Sequence, residues 1–150
     1  TGLSHLYHDF YRTNLCHSKF VMDVQRPVLI NSWEAAFMDF DDVKLVEIAK
    51  AAKKMGVDLL VMDDGWFGKR DDDNSGLGDW YVNENKIKCG LHKLVEQIND
   101  LGMKFGIWFE PEMVSEDSDL YRAHPDWAMQ IPGRHAVRSR NQMALDSSAA

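Results

Sequence analysis

An α/β fold with parallel strands, of the (β/α)8 TIM-barrel kind, is what three features of this sequence predict. Short apolar runs of strand type alternate with helical stretches in the order strand, helix, strand, helix, strand, helix, strand. That alternation implies parallel strands joined by right-handed crossovers. Both helix-to-strand joints carry the same punctuation, Gly56-Val57 and Gly102-Met103. Each strand also delivers acid at its C-terminal end: Glu34, Asp63 with Asp64, Glu110, and Asp146. In a barrel those ends face one crevice, where the chemistry sits. A doubly wound sheet would suit the alternation as well, but no GxGxxG follows the first strand. The expected unit is about four parallel strands with crossover helices, the first half of a barrel, since a complete one needs about 250 residues.

Residues 1–26 are polar and aromatic and read as an irregular lead-in or short helix. Pro27 introduces the apolar run Val28 to Glu34, of buried-strand type. Asp41-Asp42 is an N-cap pair for a helix from Val43 to Met55, in which Leu45, Ile48, Ala49 and Ala52 recur at three- and four-residue steps. Gly56 stands where a helix C-terminal glycine belongs. The unit then repeats, with a strand over Val57 to Met62 ending in Asp63-Asp64-Gly65-Trp66. A long polar loop from Lys69 to Lys88 leads to a helix from Leu91 to Leu101, closed by Gly102. The third strand, Lys104 to Phe109, ends at Glu110-Pro111-Glu112. A shorter helical stretch over Ser118 to His124 precedes a loop with Pro125, Pro132 and Gly133, and Gln142 to Leu145 forms a fourth strand ending at Asp146.

The chain has 150 residues, with 17 Lys and Arg against 24 Asp and Glu, for a formal charge of −7. A hydrophobic content of 45% is that of an ordinary globular chain and excludes a disordered tail. The acidic balance argues against a nucleic-acid partner, which calls for clustered Lys and Arg. No apolar run approaches the length that spans a bilayer, and no signal peptide is visible, so no membrane partner is expected. Cys16 and Cys89 are far apart with no CxxC spacing, which favours a reducing, cytoplasmic compartment over a disulfide scaffold. The chain opens on Thr1 rather than Met, as an excerpt of a longer protein would.

The expected crevice mixes indoles with carboxylates: Trp33, Glu34, Asp63, Asp64, Trp66, Trp108, Glu110 and Asp146. A pyranose has an apolar C–H face that stacks on an indole, and a rim of hydroxyls that carboxylates grip by charge-assisted hydrogen bonds. Trp80 and Trp127, in loops, read as ordinary half-buried aromatics. The strand-end acids have three competing uses: a glycosidase acid and nucleophile, held about 5–5.5 Å apart in retaining enzymes; a magnesium site; or a clamp on substrate hydroxyls. Successive strand residues point to opposite faces, so Asp63 and Asp64 cannot both face the crevice without a local distortion. No His sits at a strand end, and tryptophans are not metal ligands, so the clamp suits the residues best. Arg70-Asp71-Asp72-Asp73-Asn74 looks like the start of a calcium loop, but it lacks the glycine and the closing Glu and reads as a solvated loop or rim. Of Arg134, Arg138 and Arg140, Arg140 abuts the fourth strand and is best placed to reach the crevice with its planar fork.

Several long motifs together resemble bacterial α-galactosidases of glycoside hydrolase family 36: Val28-Leu29-Ile30-Asn31-Ser32-Trp33-Glu34-Ala35, Asp63-Asp64-Gly65-Trp66-Phe67-Gly68-Lys69-Arg70, Leu77-Gly78-Asp79-Trp80 and Gly106-Ile107-Trp108-Phe109-Glu110-Pro111-Glu112-Met113. Asp119 to Trp127 and Ser139-Arg140-Asn141-Gln142 extend the match over nearly the whole chain. The resemblance implies a (β/α)8 catalytic domain that hydrolyses α-D-galactosides such as melibiose and raffinose with retention, without metal or other cofactor. It implies that Asp63 and Asp64 grip galactose hydroxyls and that Trp33, Trp108 and Arg140 line the same subsite. The family's nucleophile, in a Lys-Trp-Asp motif, and its later acid/base Asp have no counterpart here, so no catalytic residue is expected in this chain and Asp146 is not the nucleophile. Residues 27–150 would then be the N-terminal half of the catalytic domain, and 1–26 its lead-in. Members of the family often form homotetramers. A raffinose-synthase-like enzyme, an α-N-acetylgalactosaminidase, a non-catalytic galactose-binding module and a metal-dependent enzyme on the same fold are the alternatives.

Overall fold

A computed structural model describes residues 2–16, 26–131, 133, 142–146 and 148. Helix α1 (Gly2–Asn14) buries none of its residues. Three strands, β1 (Leu29–Asn31), β2 (Leu59–Met62) and β3 (Lys104–Ile107), form one parallel sheet with β2 in the centre. Leu60 lies opposite Ile30 on one side and Phe105 on the other.

The crossovers between these strands are helical, as the alternation predicts. Helix α3 (Asp42–Lys54) joins β1 to β2, and α4 (Leu91–Asp100) lies between β2 and β3. Each presents its apolar stripe to the sheet: Leu45, Ala49 and Ala52 from α3, and Leu94 and Ile98 from α4, are all buried with Leu60 and Met62 in one core. The start of α3 is capped by Asp41, whose Oδ1 accepts from Lys44 N at 2.8 Å. Both helices end in the same way. Gly56 N donates to Lys53 O and Val57 N to Ala52 O; Gly102 N donates to Asn99 O and Met103 N to Ile98 O. This is the Schellman pair of bonds, and it needs a left-handed residue: Gly56 has φ +84° and Gly102 φ +71°.

Two expectations are corrected. The first strand does not run to Glu34, because Asn31 turns the chain: its Oδ1 accepts from Trp33 N at 2.7 Å, and Trp33–Ala36 form a single helical turn, α2. The fourth strand is not a parallel member of the sheet. β5 (Gln142–Ala144) pairs antiparallel with β4 (Met113–Ser115) in a separate two-stranded sheet, so the described residues hold three parallel strands rather than four. An apolar run that short specifies a strand but not the direction of its partner. Between β4 and β5 lie α5 (Asp119–Ala123), capped by Ser118, and a 3-10 turn, Pro125–Trp127.

The long segment between β2 and α4 is polar in sequence but anchored in structure. Leu77 and Ile87 are fully buried, Gly68 N donates to Tyr81 O, and Asn83 N donates to Trp66 O. These bonds fold the segment over the C-terminal ends of the strands, where β2 delivers its two aspartates.

Candidate functional site

A cleft of about 410 Å³ opens at the C-terminal ends of the parallel strands, lined by Asn31, Trp33, Glu34, Asp63, Asp64, Trp108 and Glu110. Each parallel strand contributes: Asn31 closes β1, with Trp33 and Glu34 on α2 beyond it; Asp63 and Asp64 follow β2; Trp108 and Glu110 follow β3.

Asp63 and Asp64 both reach this cleft because the chain leaves the extended conformation at Met62. Asp63 Oδ1 accepts from the next backbone amide, Asp64 N, at 2.8 Å, and its Oδ2 accepts from Asn31 Nδ2 at 2.5 Å. Its own amide donates to Ser32 Oγ at 3.0 Å. Gly65 completes the bend with φ +101°, and a Cβ there would fall 2.9 Å from Met38 Cβ. This is the local distortion that the strand alternation requires if both acids are to face one way.

Asp64 is held differently. Arg70 Nε lies 3.0 Å from its Oδ1 and Arg70 Nη2 lies 2.9 Å from its Oδ2, a two-point fork between a guanidinium and a carboxylate. Both side chains are buried, Arg70 completely. Each acid is 8% exposed or less, so whatever reaches them enters through the cleft.

The two indoles frame the acids. Trp33 is half-buried, with the Phe37 ring edge-on to it at 5.2 Å. Trp108 is half-buried in an aromatic nest: Phe67 stacks on it at 6.4 Å, Trp80 meets it edge-on at 6.3 Å, and Trp66 Nε1 donates to its carbonyl at 2.9 Å. Indole faces beside fixed carboxylates can take the apolar face and the hydroxyl rim of a sugar ring.

The structure brings Trp33, Glu34, Asp63, Asp64, Trp108 and Glu110 together and separates two expected members. Trp66 is 2% exposed and belongs to the core, where its indole nitrogen is satisfied by Trp108 O. Asp146 follows an antiparallel strand and lies against Pro125, Asp126 and Met129, in a different hollow. Arg140, with Arg134 and Arg138, lies outside the described residues. Two contributors were missed. Asn31, the last residue of β1, was read only as part of an apolar run. Arg70, expected in a solvated loop, is fully buried behind Asp64; a Lys69-Arg70 pair heading an acid run, six residues after Asp64, was the available signal. Among the described residues no cluster of three or more His, Cys, Asp or Glu is arranged to hold a metal ion.

Against known proteins, all of residues 1–150 match the melibiase family model. The chain belongs to the melibiase family. It is 60% identical over 148 residues to a bifunctional α-galactosidase/sucrose kinase of Mediterraneibacter gnavus, covering 99% of this chain and 16% of that protein. The crystal structure of a glycoside hydrolase family 36 α-galactosidase, AgaA of Geobacillus stearothermophilus, superposes with a TM-score of 0.92 at 52% identity, over 97% of this chain and 20% of that one. A variant of the same Geobacillus enzyme, solved in complex with raffinose, superposes with a TM-score of 0.91. The chain thus spans a fifth or less of the length of these relatives. The resemblance read from the motifs is thereby confirmed at the level of the family, and so is an α/β fold with a parallel sheet.

Proposed function

We propose that the chain is the galactose-binding half of the catalytic barrel of a retaining α-galactosidase, acting on terminal non-reducing α-D-galactosyl residues of melibiose- and raffinose-type oligosaccharides. The observation that carries this reading is the cleft at the strand ends, with two buried aspartates held rigid between two half-buried indoles. The raffinose complex of the Geobacillus relative supports the substrate class. Residues 27–150 are read as the first half of a (β/α)8 domain and 1–26 as its lead-in. Two outer strands, β1 and β3, that pair on one side only among the described residues support this division.

In this reading Trp33 and Trp108 stack on the sugar, Asp63 and Asp64 accept hydrogen bonds from its hydroxyls, and Arg140 completes the subsite. Fixed acceptors of this kind are worth most where water is excluded. The aspartates bind and orient; they do not exchange protons with the glycosidic oxygen. Each spends its oxygens on donors beneath it (Asn31 and a backbone amide for Asp63, the Arg70 fork for Asp64), which suits accepting further hydrogen bonds rather than attack on carbon. The reaction itself takes two further carboxylates, one attacking the anomeric carbon and one protonating the leaving oxygen, and these belong to residues outside this chain. The unpaired Cys16 and Cys89 fit a cytoplasmic setting.

The test is hydrolysis of p-nitrophenyl α-galactoside and of raffinose. The full-length protein containing these residues is expected to release nitrophenol and galactose, and residues 1–150 alone to release neither. Turnover by the 150 residues alone contradicts the division of labour. Transfer to sucrose in place of hydrolysis would favour a raffinose-synthase-like enzyme.

A further inference from the structure

We infer that Arg70 is a positioning residue for sugar binding, acting through Asp64, and that the loop from Lys69 to Gly76 exists to hold its guanidinium. This rests on the galactosidase reading above and extends it to a residue that touches no sugar.

A fully buried arginine is costly unless its charge and N–H groups are all matched. Here Nε and Nη2 engage both oxygens of Asp64, Nη1 donates to Ser75 O at 3.1 Å, and Nη2 also reaches Asp73 Oδ1 at 3.3 Å. The loop closes round the group. Arg70 N donates to Phe67 O, and Gly76, at φ +79°, passes so close that a Cβ would lie 3.0 Å from Arg70 N. Lys86 then ties the loop to the body of the fold. Its ammonium donates to Met38 O at 2.8 Å, Gly65 O at 3.0 Å and Arg70 O at 3.3 Å, and pairs with Asp71 at 2.8 Å.

The consequence lies in the plane of the Asp64 carboxylate. With one oxygen on Nε and the other on Nη2, rotation about the Cβ–Cγ bond breaks the fork, so the remaining acceptor directions are fixed relative to the cleft. A lysine would supply charge at a point but not this two-point geometry. Because the hydroxyl grip is present before and during reaction, its loss is expected in KM more than in kcat.

The test uses the full-length enzyme with Arg70→Lys, Arg70→Gln, Asp64→Asn and the Asp64→Asn/Arg70→Gln double variant. It reads the Kd of 1-deoxygalactonojirimycin, a galactose-shaped iminosugar, together with kcat and KM on p-nitrophenyl α-galactoside and the melting temperature. Arg70→Gln is expected to raise Kd and KM by about 10- to 100-fold, the range that loss of a hydrogen bond to a charged group carries. Arg70→Lys should give a smaller rise of about 3- to 10-fold, and kcat should change less than KM in both. In the Asp64→Asn background, Arg70→Gln should add less than about twofold, as residues acting through one contact are strongly coupled. Wild-type Kd in a folded Arg70→Lys or Arg70→Gln variant overturns the inference, and so do effects of the two substitutions that multiply. Failure of Arg70→Lys to fold assigns Arg70 to the fold instead of the grip, and overturns it equally. A wild-type protein that neither binds the iminosugar nor hydrolyses the galactoside refutes the galactosidase reading, and the role of Arg70 with it.

Discussion

The ends of β2 and β5 look alike in sequence and are opposites in structure. Val57 to Met62 runs into Asp63 and Asp64; Gln142 to Leu145 runs into Asp146. At the first, the acids are buried, braced by Asn31 and Arg70, and open into a cleft between two tryptophans. At the second, the acid is exposed and its partner is its own neighbour: Ser148 donates to it through both hydroxyl and amide, which holds the Asp146 carboxyl below its usual range. The difference lies in the strands. β2 sits in the middle of a parallel sheet, so its C-terminal end shares a face with those of β1 and β3, whereas β5 runs antiparallel to β4 and ends elsewhere. In this fold an acid after an apolar run reaches the cleft only where its strand belongs to the parallel set.

Substitutions in the full-length protein sharpen this contrast. Asp64→Asn and Asp63→Asn should each lower kcat/KM on p-nitrophenyl α-galactoside by about 10²-fold or more, because a charge-assisted hydrogen bond is lost in a buried site that was built around it. Trp108→Ala and Trp33→Ala should each lower it about 10-fold, through loss of a stacking face worth roughly 0.5–1.5 kcal/mol and the area buried with it. Asn31→Ala removes one of two donors to Asp63, which keeps its bond from Asp64 N, and should cost about 3- to 10-fold, the net worth of one ordinary hydrogen bond. Asp146→Asn should leave kcat/KM within about twofold and the melting temperature unchanged, as a surface substitution away from any buried network does. An Asp146 variant as damaged as the Asp64 variant would erase the distinction between the two strand ends.

Much of this contrast was legible in the sequence, and the failures have identifiable causes. The parallel sheet showed because its strands are apolar runs separated by helices with a clean stripe, and both crossover helices stop at a glycine in the left-handed conformation. The cleft-lining set Trp33, Asp63, Asp64 and Trp108 showed because paired acids and indoles recur just past the apolar runs that become parallel strands. Asp146 was grouped with them because a four-residue run carries no record of whether its partner runs parallel or antiparallel. Trp66 was assigned to the crevice because sequence cannot tell which of two nearby indoles faces inward; the structure buries Trp66 and uses its N–H to hold Trp108. Arg70 was hidden most completely. In an acid run it reads as a solvated charge, and only the folded loop shows that its partner is the aspartate six positions earlier.

The clamp itself is tested most directly by a crystal structure of the full-length protein soaked with galactose. The expected result is a ring whose apolar face lies against Trp33 or Trp108, with sugar hydroxyls within about 3.2 Å of the Asp63 and Asp64 carboxylates and the Arg70 fork unbroken behind Asp64. A galactose bound at another face of the molecule, or seated in this cleft with neither aspartate in contact, would contradict it.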